Sequence, residues 1–183
     1  MPNMSNHIHV ITMGGTIDKD YPRLTSGYAF EFGDESAASR ILNAHPNLGV
    51  SFDVKSICKK DSLEITDHDR GLLFDAIFKT FKSSSSSSSS QNPRIVVTHG
   101  TDTMIETALA LQRELGDSNC ASIAFTGATK PERFIDSDAS FNVGLAVGAT
   151  SVCSPGSVVI CMNGNVVPAE ECMRTGDGIF TWR

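Results

Sequence analysis

Two short segments rich in glycine and threonine have the residue types needed for acyl-transfer chemistry. They are Gly14-Gly15-Thr16-Ile17 and His99-Gly100-Thr101-Asp102-Thr103, and each directly follows a run of apolar, largely β-branched residues. Paired glycines allow a sharp turn and the close approach of another group. A hydroxyl placed after them is exposed, with backbone N–H groups nearby to stabilise an oxyanion. Thr16 is therefore a candidate nucleophile, although Gly-Gly-Thr taken alone favours a tight turn followed by a packed threonine.

The second segment offers more polar groups than a turn requires. An aspartate at this point can bind an α-amino group, a threonine can relay a proton, and the start of a helix stabilises negative charge. Thr103 and Glu106 have the spacing of a capping box, so Thr103 is also expected to cap the following helix. A third segment, Asp61-Ser62-Leu63-Glu64, fits either a substrate-binding loop, with Ser62 on a carboxylate and Glu64 on an ammonium, or a solvated loop.

Composition excludes several other classes of protein. GxGxxG and P-loop patterns are absent, which argues against nucleotide binding through those motifs. The five cysteines are scattered without a CxxC spacing, which is typical of buried thiols in a reducing compartment. A net charge of −6 argues against nucleic acid or an anionic membrane as the main partner. With no basic leader and no apolar run of about 18 residues, we expect a soluble, cytoplasmic protein.

Short β-rich runs alternate with helical patterns along the chain. Thr66 and Asp69 form a weaker capping box, and Leu73, Ile77 and Phe81 then recur every four residues, which predicts a buried helical stripe. Strands are predicted at 7–12, 50–57, 94–98, 121–126 and 157–162, and helices at 34–44, from 66, from 103 and at 138–149.

This order predicts a three-layer, doubly wound α/β fold with a mostly parallel sheet in one domain spanning residues 1–183. Ligands of such folds bind beyond the carboxyl ends of the strands, where the three polar segments fall. The run Ser83–Ser90 is eight serines long and is expected to form a mobile surface loop.

The two glycine-threonine segments resemble the two active-site signatures of the bacterial-type L-asparaginase family, in the same order. Asp61-Ser62-Leu63-Glu64 resembles the substrate-carboxylate loop of that family, and the stretch from Gly127-Ala128 to Phe141-Asn142 resembles another of its segments. The resemblance runs from Ile8 to Met162 at least and corresponds to the N-terminal domain of longer members. It implies a compact, single-domain form.

The resemblance implies a role for each matching residue. Thr16 would attack the amide carbon of asparagine, and Thr101 would handle the water and the proton. Asp102 would bind the α-ammonium group and Ser62 the α-carboxylate. A loop tyrosine would orient Thr16, and Tyr21 is preferred over Tyr28. Gly15, Asp61, Glu64 and Gly100 would complete the substrate-binding set, and no metal or organic cofactor is implied.

One departure from the family pattern concerns a lysine expected after the last strand. That position falls on Arg174, which stays protonated and cannot act as a base. The chain is therefore either an asparaginase, with L-glutamine as a second possible substrate, or an impaired aspartate- or asparagine-binding protein on the same fold.

A third alternative is an amidotransferase component acting on aminoacylated tRNA, which the acidic balance disfavours. Longer members also complete the pocket with an acidic residue of the C-terminal domain, which Glu64 or a neighbouring subunit would have to replace. The resemblance thus implies a homo-oligomer, a dimer or tetramer.

Overall fold

The computed structural model describes residues 6–21, 30–85 and 92–183, in which a six-stranded mixed sheet dominates. Its order is β4-β1-β5-β6-β7-β8, with parallel pairing throughout except between β7 and β8. The strands are β1 (His7–Gly14), β2 (Lys19–Asp20), β3 (Glu31–Phe32), β4 (Ser51–Lys60), β5 (Arg94–Thr98), β6 (Ser122–Thr126), β7 (Val158–Met162), β8 (Asn165–Pro168), β9 (Cys172–Arg174) and β10 (Phe180–Trp182).

Four helices cover the two faces of this sheet: α1 (Ala37–Asn43), α2 (Asp67–Ser85), α3 (Met104–Leu115) and α4 (Ala139–Val152). Helices α1 and α4 pack on one face, and α2 and α3 pack on the other. Alternate side chains of β1 serve opposite layers, because successive side chains of a strand point to opposite faces. Ile8 and Val10 join the core under α1 and α4, whereas Ile11 and Met13 join the core under α2 and α3. The predicted three-layer, doubly wound fold is confirmed.

The capping pattern and apolar stripe predicted for α2 are both present. The Thr66 backbone N–H donates to Asp69 Oδ2 at 2.8 Å, and the Asp69 N–H points back at the Thr66 hydroxyl at 3.4 Å. Leu73, Ile77 and Phe81 are buried between α2 and the sheet. The helix continues to Ser85, so the prediction of a loop was wrong for the first three serines of the run. The remainder of the serine run lies outside the described residues.

The segment after β7 contains three strands that the sequence reasoning did not predict. Asn163 and Gly164 have φ angles of 55° and 81° and form the two-residue turn between antiparallel β7 and β8. Asn-Gly is the strongest short-range signal of a β-hairpin, so this turn could have been predicted. The antiparallel ribbon β9–β10 follows and pairs Arg174 with Phe180. Within the described ranges, none of the helices combines the length and hydropathy that crossing a membrane requires.

Candidate active site

The three polar segments lie together at one edge of the sheet. Because β1 sits between β4 and β5 and all three strands are parallel, their carboxyl ends are neighbours. We call the segment after β1, residues 14–18, the first tip, and the segment after β5, residues 99–103, the second tip. The loop after β4, residues 61–64, completes the arrangement, as the sequence predicted.

Glycine backbones make direct contact between the two tips. Gly15 has a φ of 85°, and a Cβ atom placed on it would overlap the Gly100 backbone nitrogen and lie 2.5 Å from Gly100 Cα. A Cβ atom on Gly100 would in turn lie 2.6 Å from Ser62 Cβ. Only glycine allows this stacking of three chain segments, because any side chain would separate them. Thr16 and Thr101, each one residue after such a glycine, are thereby brought to neighbouring strand ends.

Asp102 joins the second tip to two other parts of the site. Its Oδ2 accepts a hydrogen bond from the Ser62 hydroxyl at 3.0 Å, and its backbone N–H points at the same hydroxyl at 3.2 Å. Its Oδ1 pairs with Arg174 Nη1 at 2.7 Å. The hydrogen bond from Arg174 is the main reason that the pKa of Asp102 lies below its usual value, and Ser62 adds to the effect. Asp102 is therefore held as a carboxylate.

The cap predicted from Thr103 takes a different form. Thr103 occupies the N-cap position of α3, but its side chain makes no capping hydrogen bond. Its hydroxyl donates to the Ser62 carbonyl at 2.7 Å instead. The prediction of a side-chain cap was wrong because a tertiary acceptor from the loop after β4 competes with the helix N–H groups for the hydroxyl. The contact fastens this loop to the second tip.

Arg174 reaches the site from the unpredicted ribbon β9–β10. Its guanidinium lies over the ring of Phe180 on the paired strand, 5.8 Å from the ring centre. The face of an aromatic ring attracts a cation, so this contact stabilises the position of Arg174. The ribbon is joined to the β7–β8 turn because the Phe180 N–H donates to Asn163 Oδ1 at 3.0 Å. Arg174, placed by counting along the sequence, thus lies beside the second tip as expected.

Thr16 differs from Asp102 in that its hydroxyl has no hydrogen-bond partner among the described residues, although the side chain is half-buried. The Gly15 N–H is already bonded to the Lys60 carbonyl at 2.9 Å, so it is not available to an oxyanion in this state. Within the described ranges the Thr16 hydroxyl is therefore not committed to another protein group, which suits a candidate nucleophile.

A lysine that the sequence reasoning did not single out connects the first tip to the loop after β4. Lys19 Nζ lies 2.8 Å from Asp61 Oδ1. Glu64 accepts a hydrogen bond from the Asp61 backbone N–H at 3.3 Å, so its carboxylate bonds within its own loop. No motif identifies this ion pair, because it depends on the register between β1 and β4.

Tyr21, the preferred loop tyrosine, packs against two aromatic rings in this structure. The residue is 58% exposed, and its ring lies against Phe30 and Phe134, with ring centres 6.0 and 5.7 Å away. Its hydroxyl makes no hydrogen bond to Thr16. Tyr28 lies outside the described residues, and the choice between the two tyrosines stays a prediction.

The second tip is supported from beneath by buried polar groups. His99 is fully buried, and its Nδ1 donates to the Gly100 carbonyl at 2.8 Å. Burial lowers the pKa of His99, which favours the neutral ring. Behind it, a Cβ atom on Gly127 would overlap the His99 carbonyl, and buried Asn142 donates to the Gly127 carbonyl at 3.1 Å. His99 is therefore a positioning residue for Gly100.

Comparison with known proteins gives this arrangement a family. The sequence profile described as Asparaginase, N-terminal matches residues 7–177. The chain belongs to the asparaginase family. It is 27% identical over 164 residues to a glutamyl-tRNA(Gln) amidotransferase subunit from Archaeoglobus fulgidus, a match that covers 86% of this chain and 35% of that protein.

Solved asparaginases share the fold of this family member. The thermostable L-asparaginase from Thermococcus kodakarensis superposes with a TM-score of 0.77 at 20% identity, over 96% of this chain and 51% of that one. The probable cytoplasmic L-asparaginase from Campylobacter jejuni superposes with a TM-score of 0.76 at 24% identity, over 97% of this chain and 53% of that one. The chain thus spans about half the length of these solved structures.

Proposed function

We propose that this asparaginase-family chain is an amidohydrolase that converts L-asparagine to L-aspartate and ammonia, with Thr16 as the nucleophile. The observation that supports the proposal is the contact between Gly15 and Gly100, the residues that directly precede Thr16 and Thr101. Membership of the asparaginase family supports the reaction class.

The proposed reaction has two acyl-transfer steps. Thr16 Oγ1 forms a bond to the side-chain amide carbon, its proton passes by way of Thr101 to the leaving nitrogen, and ammonia departs. Water then attacks the resulting ester with Thr101 handling the proton, which releases aspartate and restores the Thr16 hydroxyl. Each half balances without an oxidant, a metal or an organic cofactor.

Substrate selection is assigned to the residues that bind the amino acid head group. An ionised carboxylate offers about four lone-pair positions, and Arg174 and Ser62 use only part of that capacity on Asp102. The remainder is available to an α-ammonium group. The Ser62 hydroxyl lies beside the Asp102 carboxylate. It is proposed to turn from Asp102 to the α-carboxylate when substrate binds.

The test is ammonia release from L-asparagine by the wild type and by Thr16→Ala. Loss of a nucleophile is expected to lower kcat by about a thousandfold or more. Thr80→Ala is the matched control, because Thr80 lies on α2 and its hydroxyl bonds the carbonyl of Ala76 in its own helix. Equal rates in the wild type and Thr16→Ala would refute the assignment of the nucleophile.

The second candidate function is an aspartate- or asparagine-binding protein without turnover. The observation that favours it is the pairing of Asp102 with a permanently protonated arginine, which offers no general base. Isothermal titration with L-aspartate, run beside the ammonia assay, separates the two functions. Tight binding with no ammonia release would support the binding protein and contradict the hydrolase.

Glutamine is the alternative amide substrate, since the Archaeoglobus fulgidus relative is named as part of a glutamyl-tRNA(Gln) amidotransferase. Parallel assays with L-asparagine and L-glutamine give the ratio of kcat/KM for the two amides. We propose a preference for asparagine. A ratio that favours glutamine would contradict this preference and would indicate that the chain acts on the amide named in that relative.

We also propose that the pocket is completed in a cytoplasmic homo-oligomer. Glu64, the candidate within this chain for the pocket acid that longer family members supply from their C-terminal domain, bonds to its own loop at the Asp61 N–H. Sedimentation velocity would show a dimer or tetramer at assay concentrations. A monomer with full activity would contradict this part of the proposal.

A further inference from the structure

A group of imidazole and carboxylate side chains lies at the amino-terminal end of β1, whereas the two tips lie at the carboxyl ends of the strands. His7 and His9 are two residues apart on β1, so they share one face of the strand. Ser51 and Asp53 are their register partners on the neighbouring strand β4. At about 3.3 Å per residue, His9 lies roughly 16 Å along β1 from the glycines of the first tip. The reaction proposed above makes no use of these residues.

The side chains of the group converge on one carboxylate oxygen. His7 Nε2 lies 2.6 Å and His9 Nδ1 2.7 Å from Asp53 Oδ1. The two rings meet edge to face with centres 4.8 Å apart. The three potential ligand atoms all lie within 4.8 Å of one another. The register of the strand pair fixes the backbone beneath these side chains, so side-chain rotation is sufficient to bring the ligand atoms onto a common centre.

These dimensions suit a divalent transition-metal ion. Zinc binds imidazole nitrogen and carboxylate oxygen at about 2.0–2.2 Å, which places tetrahedral ligand atoms about 3.4 Å apart. The two contacts to Asp53 would each lengthen by less than about 1 Å to admit the ion. Imidazole nitrogen favours zinc, copper and nickel over magnesium and calcium, which prefer oxygen ligands.

Solvent access leaves room for further ligands. The side chains of His7, His9 and Asp53 are 36%, 30% and 54% exposed. Water can therefore fill the remaining coordination positions, as it does in open zinc sites.

Ser51 gives the site an outer partner. His7 Nδ1 lies 2.9 Å from Ser51 Oγ. Without an ion, Nε2–H donates to Asp53 and Nδ1 accepts from the serine hydroxyl, because a carboxylate oxygen only accepts. When an ion binds Nε2, the proton moves through solvent to Nδ1, which then donates to Ser51 Oγ. Such a bond from the far nitrogen orients a metal-ligating histidine.

We propose that His7 Nε2, His9 Nδ1 and a carboxylate oxygen of Asp53 form a surface binding site for a divalent transition-metal ion of the zinc type, with Ser51 orienting His7. The site joins β1 to the edge strand β4. A bound ion would therefore cross-link β4 to β1 at the end of these strands that is remote from the candidate active site.

The experiment is isothermal titration of the full chain with zinc chloride in a non-chelating buffer. We expect one ion per chain with a Kd in the micromolar range, and at least tenfold weaker binding in His7→Asn, His9→Asn and Asp53→Asn. Ser51→Ala should weaken binding by about tenfold without abolishing it. Circular dichroism of each variant confirms that it is folded.

Matched controls separate this site from adventitious ligands. His45→Asn and His68→Asn remove other exposed imidazoles, and Cys120→Ser removes an exposed thiol. All three should bind zinc as the wild type does. Zinc should also raise the Tm of the wild type but not that of His9→Asn, because the ligands span two strands. Absence of binding at millimolar zinc, unchanged affinity in His7→Asn and His9→Asn, or loss of binding in Cys120→Ser would overturn the proposal.

Discussion

The two tips of the candidate active site each carry an aspartate close to a threonine, and the two aspartates are held in opposite ways. Asp102, one residue after Thr101, is half-exposed and paired with Arg174, which lowers its pKa. Asp18, two residues after Thr16, is 5% exposed, and burial raises its pKa to about 6. The second tip thus maintains a charge at the surface, whereas the first tip places a carboxyl group in the core.

This difference suits the two aspartates to different roles, one in binding a ligand and the other in supporting the fold. Asp102 keeps the negative charge that the proposed function assigns to binding an ammonium group. Asp18 accepts the Ala37 N–H at 2.7 Å at the start of α1, and so it anchors the first tip to the layer beneath. The tip with the anchored aspartate carries Thr16, whose hydroxyl has no hydrogen-bond partner among the described residues. The first tip is thus held through its buried aspartate, while the second is bonded through Asp102 to Arg174 and Ser62.

The largest expected effect comes from separating the two tips. Gly15→Ala places a Cβ in the Gly100 backbone at a φ of 85° that alanine rarely adopts. We expect a loss of about 3 kcal/mol or more in the free energy of unfolding, with ammonia release almost abolished. Gly144→Ala is the control, because nothing lies within 4 Å of its Cβ position on α4. Chemical denaturation and the ammonia assay measure the two quantities. Full stability and activity in Gly15→Ala would show that the contact between Gly15 and Gly100 is not needed to hold the two tips together.

The next effect concerns the charge of the second tip. Asp102→Asn keeps the shape of the side chain but removes the negative charge and leaves Arg174 without its partner. We expect kcat/KM for asparagine to fall roughly a hundredfold, mainly through KM, because the lost interaction is with the substrate ammonium. Asp117→Asn, a change at an exposed position after α3, should have no effect. An unchanged KM would show that Asp102 does not bind the substrate.

A smaller change with the opposite sign is expected at Arg174. Lysine at this position can still pair with Asp102 but can also lose its proton and act as a base. We expect Arg174→Lys to raise kcat by about tenfold, since general-base catalysis contributes that much or more. Arg113→Lys on the exposed side of α3 is the control. Identical rates in wild type and Arg174→Lys would show that the arginine does not limit the reaction.

The sequence was sufficient to predict the five parallel strands of the main sheet and the convergence of the tips. Apolar β-branched runs with a glycine close after them mark β1 and β5, and parallel strands must end at the same edge. It was not sufficient for contacts that depend on register. Lys19 meets Asp61 because β1 and β4 are aligned as they are, and a one-residue slip would separate them.

Competition between acceptors and an overlooked turn account for two further differences. The capping motif identified Thr103 correctly as the N-cap residue, but motif spacing cannot show that the Ser62 carbonyl competes for its hydroxyl. The ribbon that carries Arg174 was unpredicted although Asn163-Gly164 signals the hairpin before it. Arg174 was located by its distance along the chain from Met162, and its contact with Asp102 required the fold.

The last test concerns Asp18, the support of the first tip, and reads stability rather than activity. Because the folded-state pKa of about 6 lies above the ordinary value of 3.8, the folded state holds this proton more tightly than the unfolded chain. The stability that Asp18 contributes is therefore full below about pH 4 and is lost as pH rises through 6, by up to about 3 kcal/mol. Asp18→Asn keeps an acceptor for the Ala37 N–H and has no proton to lose. Its stability relative to wild type should rise between pH 4 and 7. Asp34→Asn, a change at an exposed residue that lines a surface cavity together with Asp18, should show no such slope. Urea unfolding at several pH values measures the difference, and parallel curves for wild type and Asp18→Asn would show that the first tip is as open to water as the second.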